Sequence, residues 1–103
     1  MTKQNAQKKI LVVKVGTATI THASGQPNLD LLERLARTLH DVKHNGYRVV
    51  LVSSGAIGIG RSFMDMGKPK DLPMKQALAA IGQVRLMSLY NKLFGEYGHK
   101  VAQ

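Results

Sequence analysis

The sequence predicts an α/β fold built on a parallel sheet, and three observations carry that prediction. Two short β-branched apolar runs, residues 10–15 and 47–52, each end at a glycine-bearing loop. Between them lies a stretch with helical apolar spacing. Two strands joined by a helix of this length make a βαβ unit, parallel and with a right-handed crossover.

Each element follows from its residues. The first strand, residues 10–15, is interrupted only by Lys14 and ends at Gly16. Residues 17–21 are expected to continue the extended chain, and residues 22–27 have the glycine and proline of a loop. Asn28 reads as an N-cap. Leu29, Leu32, Leu35, Ala36, Leu39 and Val42 then fall within less than half of the helical wheel. Asp30, Glu33, Arg34, Arg37, His40, Asp41 and His44 occupy the opposite side, and Asn45-Gly46 supplies a stop. The second strand runs into Ser53-Ser54-Gly55. Residues 56–65 are expected to be helical despite Gly58 and Gly60, each costing roughly 1 kcal/mol relative to alanine. Close backbone approach to a sheet or a ligand would offset that cost. Residues 67–73 read as a basic loop with two prolines. Residues 74–97 form a long helix with apolar residues in every sector, which predicts burial on more than one side. Sheet packing would cover one side and a partner subunit the other, with Ala77, Ala79, Ala80 and Gly82 allowing a close crossing. Residues 99–103 read as the approach to a third strand.

Bulk properties narrow the class. A chain of 103 residues holds one modest domain, here residues 9–103 behind a basic flexible tail at residues 1–8. No apolar run approaches the roughly 20 residues that span a bilayer, and the N-terminal residues lack the apolar core of a secretory signal. There is no cysteine, so disulfides and thiolate chemistry are excluded and a cytoplasmic protein is expected. The formal net charge is +9, but the bases are spread from Lys3 to Lys100 without interleaved aromatics. That pattern favours anionic small molecules over nucleic acid.

Ligands of open parallel sheets bind beyond the C-terminal ends of the strands. Here one end carries Lys14-Val15-Gly16-Thr17 and the other Ser53-Ser54-Gly55-Ala56, which runs into a helix. Glycine lets backbone approach an anion, and a helix N-terminus presents unpaired N–H groups. An ammonium interrupting an apolar strand is expected to meet an anion, because burying it unpaired is costly. Together these features describe a phosphate-handling site. The plainer reading is that glycines end strands in all α/β proteins and that a lysine stem simply reaches water. The spacing matches neither GxxxxGK[ST] nor GxGxxG, and Ser54 lacks a G-x-S-x-G context. Ser54 reads either as a donor to a bound carboxylate or as an N-cap. His40 and His44 have an HExxH-like spacing on a solvated face with no third ligand, so no metal site is expected there. His22 and His99 fit no pattern.

Three segments carry a resemblance. Lys14-Val15-Gly16-Thr17 is similar to the opening motif of amino-acid kinases. Val52-Ser53-Ser54-Gly55-Ala56-Ile57 and Lys75-Gln76-Ala77-Leu78-Ala79-Ala80-Ile81-Gly82-Gln83 resemble the glutamate 5-kinases within that family. The resemblance covers roughly residues 9–103. It implies an αβα sandwich around a largely parallel sheet, of which this chain is the N-terminal part. It implies ATP- and Mg2+-dependent phosphorylation of the glutamate side-chain carboxylate, leading to proline. Lys14 would be catalytic, stabilising the transferring phosphoryl group, with Gly16 and Thr17 lining the same phosphate-binding loop. Ser54, with the backbone of Gly55 and Ala56, would hold glutamate. The family's chains are longer, and their later part supplies acidic and asparagine residues and most of the adenine pocket. The chain alone is therefore expected to be catalytically incompetent, and to form a homo-oligomer through the helix at 74–97. The competing reading is a non-catalytic βαβ module that binds anions or a partner chain.

Overall fold

The computed structural model describes residues 8–103. All of the expected tail except Lys8 lies outside the described residues. The elements in chain order are β1 (Ile10–Val15), α1 (Thr17–Ile20), α2 (Leu29–His44), β2 (Arg48–Ser53), α3 (Ala56–Met64) and α4 (Leu72–Gly95).

β1 and β2 pair in parallel, with Ile10 opposite Arg48, Lys14 opposite Val52 and Val15 opposite Ser53. Side chains alternate across the pleat, so each strand has two different faces. Leu11, Val13 and Val15, with Val49, Leu51 and Ser53, face the helices and are half-buried. Ile10, Val12, Val50 and Val52 face outward and are exposed, and Lys14 lies among them. Among the described residues the helices therefore cover one face of the sheet, giving two layers of the expected sandwich.

α2 begins where Asn28 caps it, its Oδ1 accepting from Leu31 N–H at 3.2 Å. It ends at Asn45, and Gly46 takes φ +98, a left-handed conformation that costs glycine little. Its buried stripe is Leu32, Ala36 and Leu39. On the solvated side, Arg34–Asp30 and Arg37–Glu33 form exposed i,i+4 ion pairs. The central core gathers Ile20, Leu32, Ile59, Leu86 and Tyr90, with Val15 and Leu51 of the sheet packed against it.

Three expectations change. Residues 17–20 are a helical turn rather than extended chain, because Thr19 and Ile20 N–H both bond Gly16 C=O and Ile20 is driven fully into the core. α4 begins at Leu72, within the expected loop: Asp71 Oδ1 accepts from Met74 N–H at 2.9 Å, and Pro73 suits the first turn, where its missing N–H has no partner to lose. α4 buries a single stripe, Leu78, Gly82, Leu86 and Tyr90, while Val84 on another side is 72% exposed. Within one chain, that other side, expected to meet a partner subunit, is left uncovered among the described residues. Residues 99–103 adopt no strand.

Of the two glycines of α3, Gly60 is explained by backbone contact, with a helix rather than with the sheet, whereas a Cβ on Gly58 would make only an ordinary 3.6 Å contact with Thr17 Cγ2. A Cβ on Gly60 would strike the Leu78 carbonyl of α4, and one on Gly82 would strike the Ala56 carbonyl and lie 2.8 Å from Gly60 N. α3 and α4 therefore cross with backbones touching, which returns dispersion contact for the helix propensity lost.

Candidate site at the strand ends

β1 and β2 end side by side, and the ladder extends one step further through Ser54 N–H to Val15 C=O at 3.0 Å. This places Gly16-Thr17 and Ser54-Gly55-Ala56 on the same edge of the sheet. Two helix N-termini open there. At α1, Gly16 is the N-cap, with an ordinary extended conformation (φ −88°, ψ 165°). At α3, Gly55 is the N-cap at φ +112, and no side chain among the described residues caps the helix. Ser54 is therefore not the N-cap that one reading allowed, and its hydroxyl has no hydrogen bond among the described residues. At α3 the first-turn N–H groups lack intrahelical acceptors, so that helix start presents donors and a positive dipole end toward this edge. α1 is a single turn in which Thr19 and Ile20 N–H already bond Gly16 C=O, so it brings fewer donors there.

The two ends are knitted together. The connection after α1 folds back through an isolated bridge between Thr21 and Pro27, with His22 N–H bonding Gln26 C=O at 2.8 Å. Gly25, at φ +87, rests on the Gly58 carbonyl of α3; an added Cβ would lie 2.5 Å from that oxygen. Ile20 packs beneath Gly55, where a Cβ would lie 2.7 Å from Ile20 Cδ1. Thr17 Cγ2 lies within ordinary contact of Gly58, 3.6 Å from where a Cβ would sit.

Lys14 lies on the open face, exposed, and forms no ion pair among the described residues. The expectation that it meets an anion because burial demands it is not supported by these surroundings: the ammonium reaches solvent. Its position, opposite Val52 and two residues before Gly16, still sets a positive charge near the edge where the helix starts open.

Some groups were not anticipated as partners. Tyr90, 5% exposed, reaches from α4 to β2, its hydroxyl 2.8 Å from Ser53 Oγ. Burial raises the Tyr90 phenol above its usual value, with the Ser53 hydrogen bond acting the other way. His40 Nδ1 lies 2.8 Å from His99 Nε2, and Tyr97 stacks on His40 at 4.9 Å. Burial first, then the charge of Lys43 and then His40, lowers the His99 imidazole below its usual value. The two histidines are 59 residues apart in sequence, a separation at which no local pattern speaks. A cavity of about 480 Å³ runs beside β2, lined by Leu51, Ser53, Leu86, Tyr90 and Val101 among others. None of Lys14, Gly16, Thr17, Ser54, Gly55 or Ala56 lines it, so the strand-end site is an open edge and not that cavity.

The acidic residues sit elsewhere. Asp30 and Glu33 pair with arginines on α2, Asp71 caps α4, and Asp65 and Glu96 occupy helix C-caps. Among the described residues no group of three histidine or acidic side chains is placed to hold a metal ion. No helix there is long and apolar enough to cross a membrane.

A parallel α/β unit with glycine loops and helix N-termini at adjoining strand ends is a frame for binding anions. Residues 9–103 match the model of the amino acid kinase family, and the chain belongs to that family. Within it the chain is similar to glutamate 5-kinases. It is 50% identical over 104 residues to the Glutamate 5-kinase of Clostridium perfringens, covering 100% of this chain and 39% of the relative. Against that of Caldanaerobacter subterraneus subsp. tengcongensis it is 51% identical over 94 residues, covering 90% of this chain and 25% of the relative. Against that of Lactococcus lactis subsp. cremoris it is 47% identical over 105 residues, covering 100% and 39%. The chain thus spans between 25% and 39% of the length of these relatives.

Proposed function

We propose that this chain provides the phosphoryl-transfer edge of a glutamate 5-kinase, which moves the γ-phosphoryl group of ATP to the side-chain carboxylate of L-glutamate in proline biosynthesis. The observation that carries the reading is the placement of Lys14, Gly16-Thr17 and Ser54-Gly55-Ala56 on one edge, in a chain about half identical to glutamate 5-kinases. In this reaction a glutamate carboxylate oxygen bonds the γ-phosphorus while the bond from that phosphorus to the β,γ-bridging oxygen breaks, releasing ADP. No protein nucleophile is needed; the protein positions two anions and neutralises charge.

Lys14 is assigned to the transferring phosphoryl group, catalytically. Its exposure on the open face leaves the ammonium free to meet a phosphate without first breaking an ion pair among the described residues. Gly16 and Thr17 offer backbone N–H groups and a hydroxyl to the ATP phosphates. Ser54 Oγ, with the N–H groups at Gly55 and Ala56, holds glutamate. Magnesium on the ATP phosphates would supply further neutralisation, and among the described residues no group of three histidine or acidic side chains is placed to hold it. A cytoplasmic location and self-association through α4, whose Val84 and Leu72 stand exposed, belong to the same proposal.

The test is acyl-phosphate trapping by hydroxylamine with ATP, magnesium and L-glutamate. It uses the chain alone and the chain joined to the region that follows the match in the Clostridium perfringens relative. Hydroxamate is expected from the joined chain and not from the chain alone. Lys14→Ala should cut the rate roughly 100-fold or more without loss of the circular-dichroism signal. A folded Lys14→Ala variant with unchanged rate would remove the catalytic assignment. A folded joined chain that makes no hydroxamate would overturn the kinase reading.

A further inference from the structure

We propose that Tyr90 is a positioning residue for the glutamate side of the site, acting through Ser53 on the Ser54–Gly55 peptide; this rests on the assignment of Gly55 and Ala56 N–H to glutamate. Ser53 Oγ lies 2.9 Å from Ser54 C=O and 2.8 Å from Tyr90 Oη. The carbonyl can only accept, so the single Ser53 hydroxyl proton is spent on it. For both bonds to form, Tyr90 O–H donates to Ser53 Oγ. The relay therefore has one direction: Tyr90 O–H to Ser53 O–H to Ser54 C=O.

The carbonyl held at the end of that relay shares its peptide plane with Gly55 N–H, and a planar trans peptide points the two in opposite directions. Fixing one fixes the other. Gly55 is the residue most in need of such support. It sits at φ +112 with no side chain among the described residues capping α3, and glycine there has the widest conformational freedom to lose. Ile20 supports it from below by contact, and Tyr90 belongs to the same core cluster as Ile20. The phenol ring fills core space that phenylalanine would fill equally, so the hydroxyl is what makes tyrosine specific here. A buried hydroxyl without a partner would be destabilising, and Ser53 is its partner.

A role confined to tying α4 to β2 would affect every ligand alike. A role in aiming Gly55 N–H affects one. The joined chain of the trapping test, 15N-labelled, is compared with its Tyr90→Phe, Ser53→Ala and double variants by amide NMR. L-Glutamate and inorganic phosphate are titrated separately, and thermal melting is followed in parallel. Both single variants are expected to move the same amide signals, those of Ser54, Gly55 and Ala56, and to leave Gly16 and Thr17 in place. Each should weaken L-glutamate about fivefold, the worth of one hydrogen bond, with phosphate affinity unchanged. The double variant should match the singles, because either substitution already breaks the relay. Unmoved signals at residues 54–56 in folded variants, additive losses in the double variant, or equal weakening of both ligands would each overturn the proposal. If L-glutamate binds nowhere near residues 54–56 in the unsubstituted joined chain, the site assignment fails. The relay itself is then still decided by the three amide signals and by whether the double variant moves them further.

Discussion

The two strand ends look alike in sequence and differ in what holds them. Each strand stops at a small residue and a helix starts beyond it. At the first end, Gly16 has an ordinary extended backbone, and a Cβ built there would meet nothing within 4 Å among the described residues. At the second, Gly55 is left-handed and a Cβ would press on Ile20. The fold therefore demands glycine at the second end and not at the first. On the proposed reading Gly16 serves the ligand instead, since its bare backbone lets an anion approach.

The strongest way to break this arrangement lies beneath the second end. Gly82→Ala would push a methyl group into the Ala56 carbonyl, the first residue of α3, and toward Gly60 N at 2.8 Å. Both are backbone atoms inside a helix crossing and neither moves cheaply. A loss of about 3 kcal/mol is expected in urea unfolding, at the upper end of overpacking costs. A loss below about 0.5 kcal/mol would mean that α3 and α4 do not cross as closely as the geometry requires.

Gly55→Ala should come next, at about 2 kcal/mol, from the left-handed backbone plus the contact with Ile20. Pairing it with Ile20→Val separates the two causes. If the double variant recovers part of the loss, contact contributes; if it recovers none, backbone strain accounts for it. Gly16→Ala is the contrasting case. Stability should change by less than about 0.5 kcal/mol, whereas binding of ATP phosphates to the joined kinase chain should weaken. Measured together, a large destabilisation by Gly16→Ala or none by Gly55→Ala would reverse the distinction between the ends.

Residues alone disclose what local patterns and topology dictate at the two ends, and no more. The βαβ unit, the Asn28 cap and the Gly46 stop were legible because each rests on a local pattern: alternation, a 3.6-residue spacing, a cap. Lys14, Gly16 and Ser54 were legible as a group because topology alone brings parallel strand ends together. The α1 turn was not, since Thr17 to Ile20 have no marked helical preference and the turn exists because Ile20 is fully buried. Nor could the sequence say which glycine is structural, because that depends on whether Ile20 or empty space stands beside it. Tyr90 on Ser53 and His99 on His40 are contacts across 37 and 59 residues, set by packing and by no spacing rule.

The smallest expected effect concerns the other edge of the sheet and serves as a control for both ends. α2 runs back across the strands, so His40 and His44 lie toward the edge where β2 begins, and His99 meets His40 there. One ring must accept at 2.8 Å, so protonating both sets N–H against N–H, with the Lys43 charge adding to the repulsion. The His99 imidazole is lowered in the fold from its usual 6.5. The unfolded chain therefore binds the proton more readily. The stabilising contribution is complete above about pH 6.5 and is lost as pH falls through the lowered folded value. Melting should accordingly occur at a lower temperature at pH 5 than at pH 8, and His99→Gln should flatten that difference. Over the same range the amide signals of His99 and Tyr97 should shift while those of Gly16 and Gly55 stay, since neither strand end touches the histidine pair. Movement of Gly55 in step with His99 would show that the second end is held from both edges of the sheet, and that its dependence on Ile20 is only part of its support.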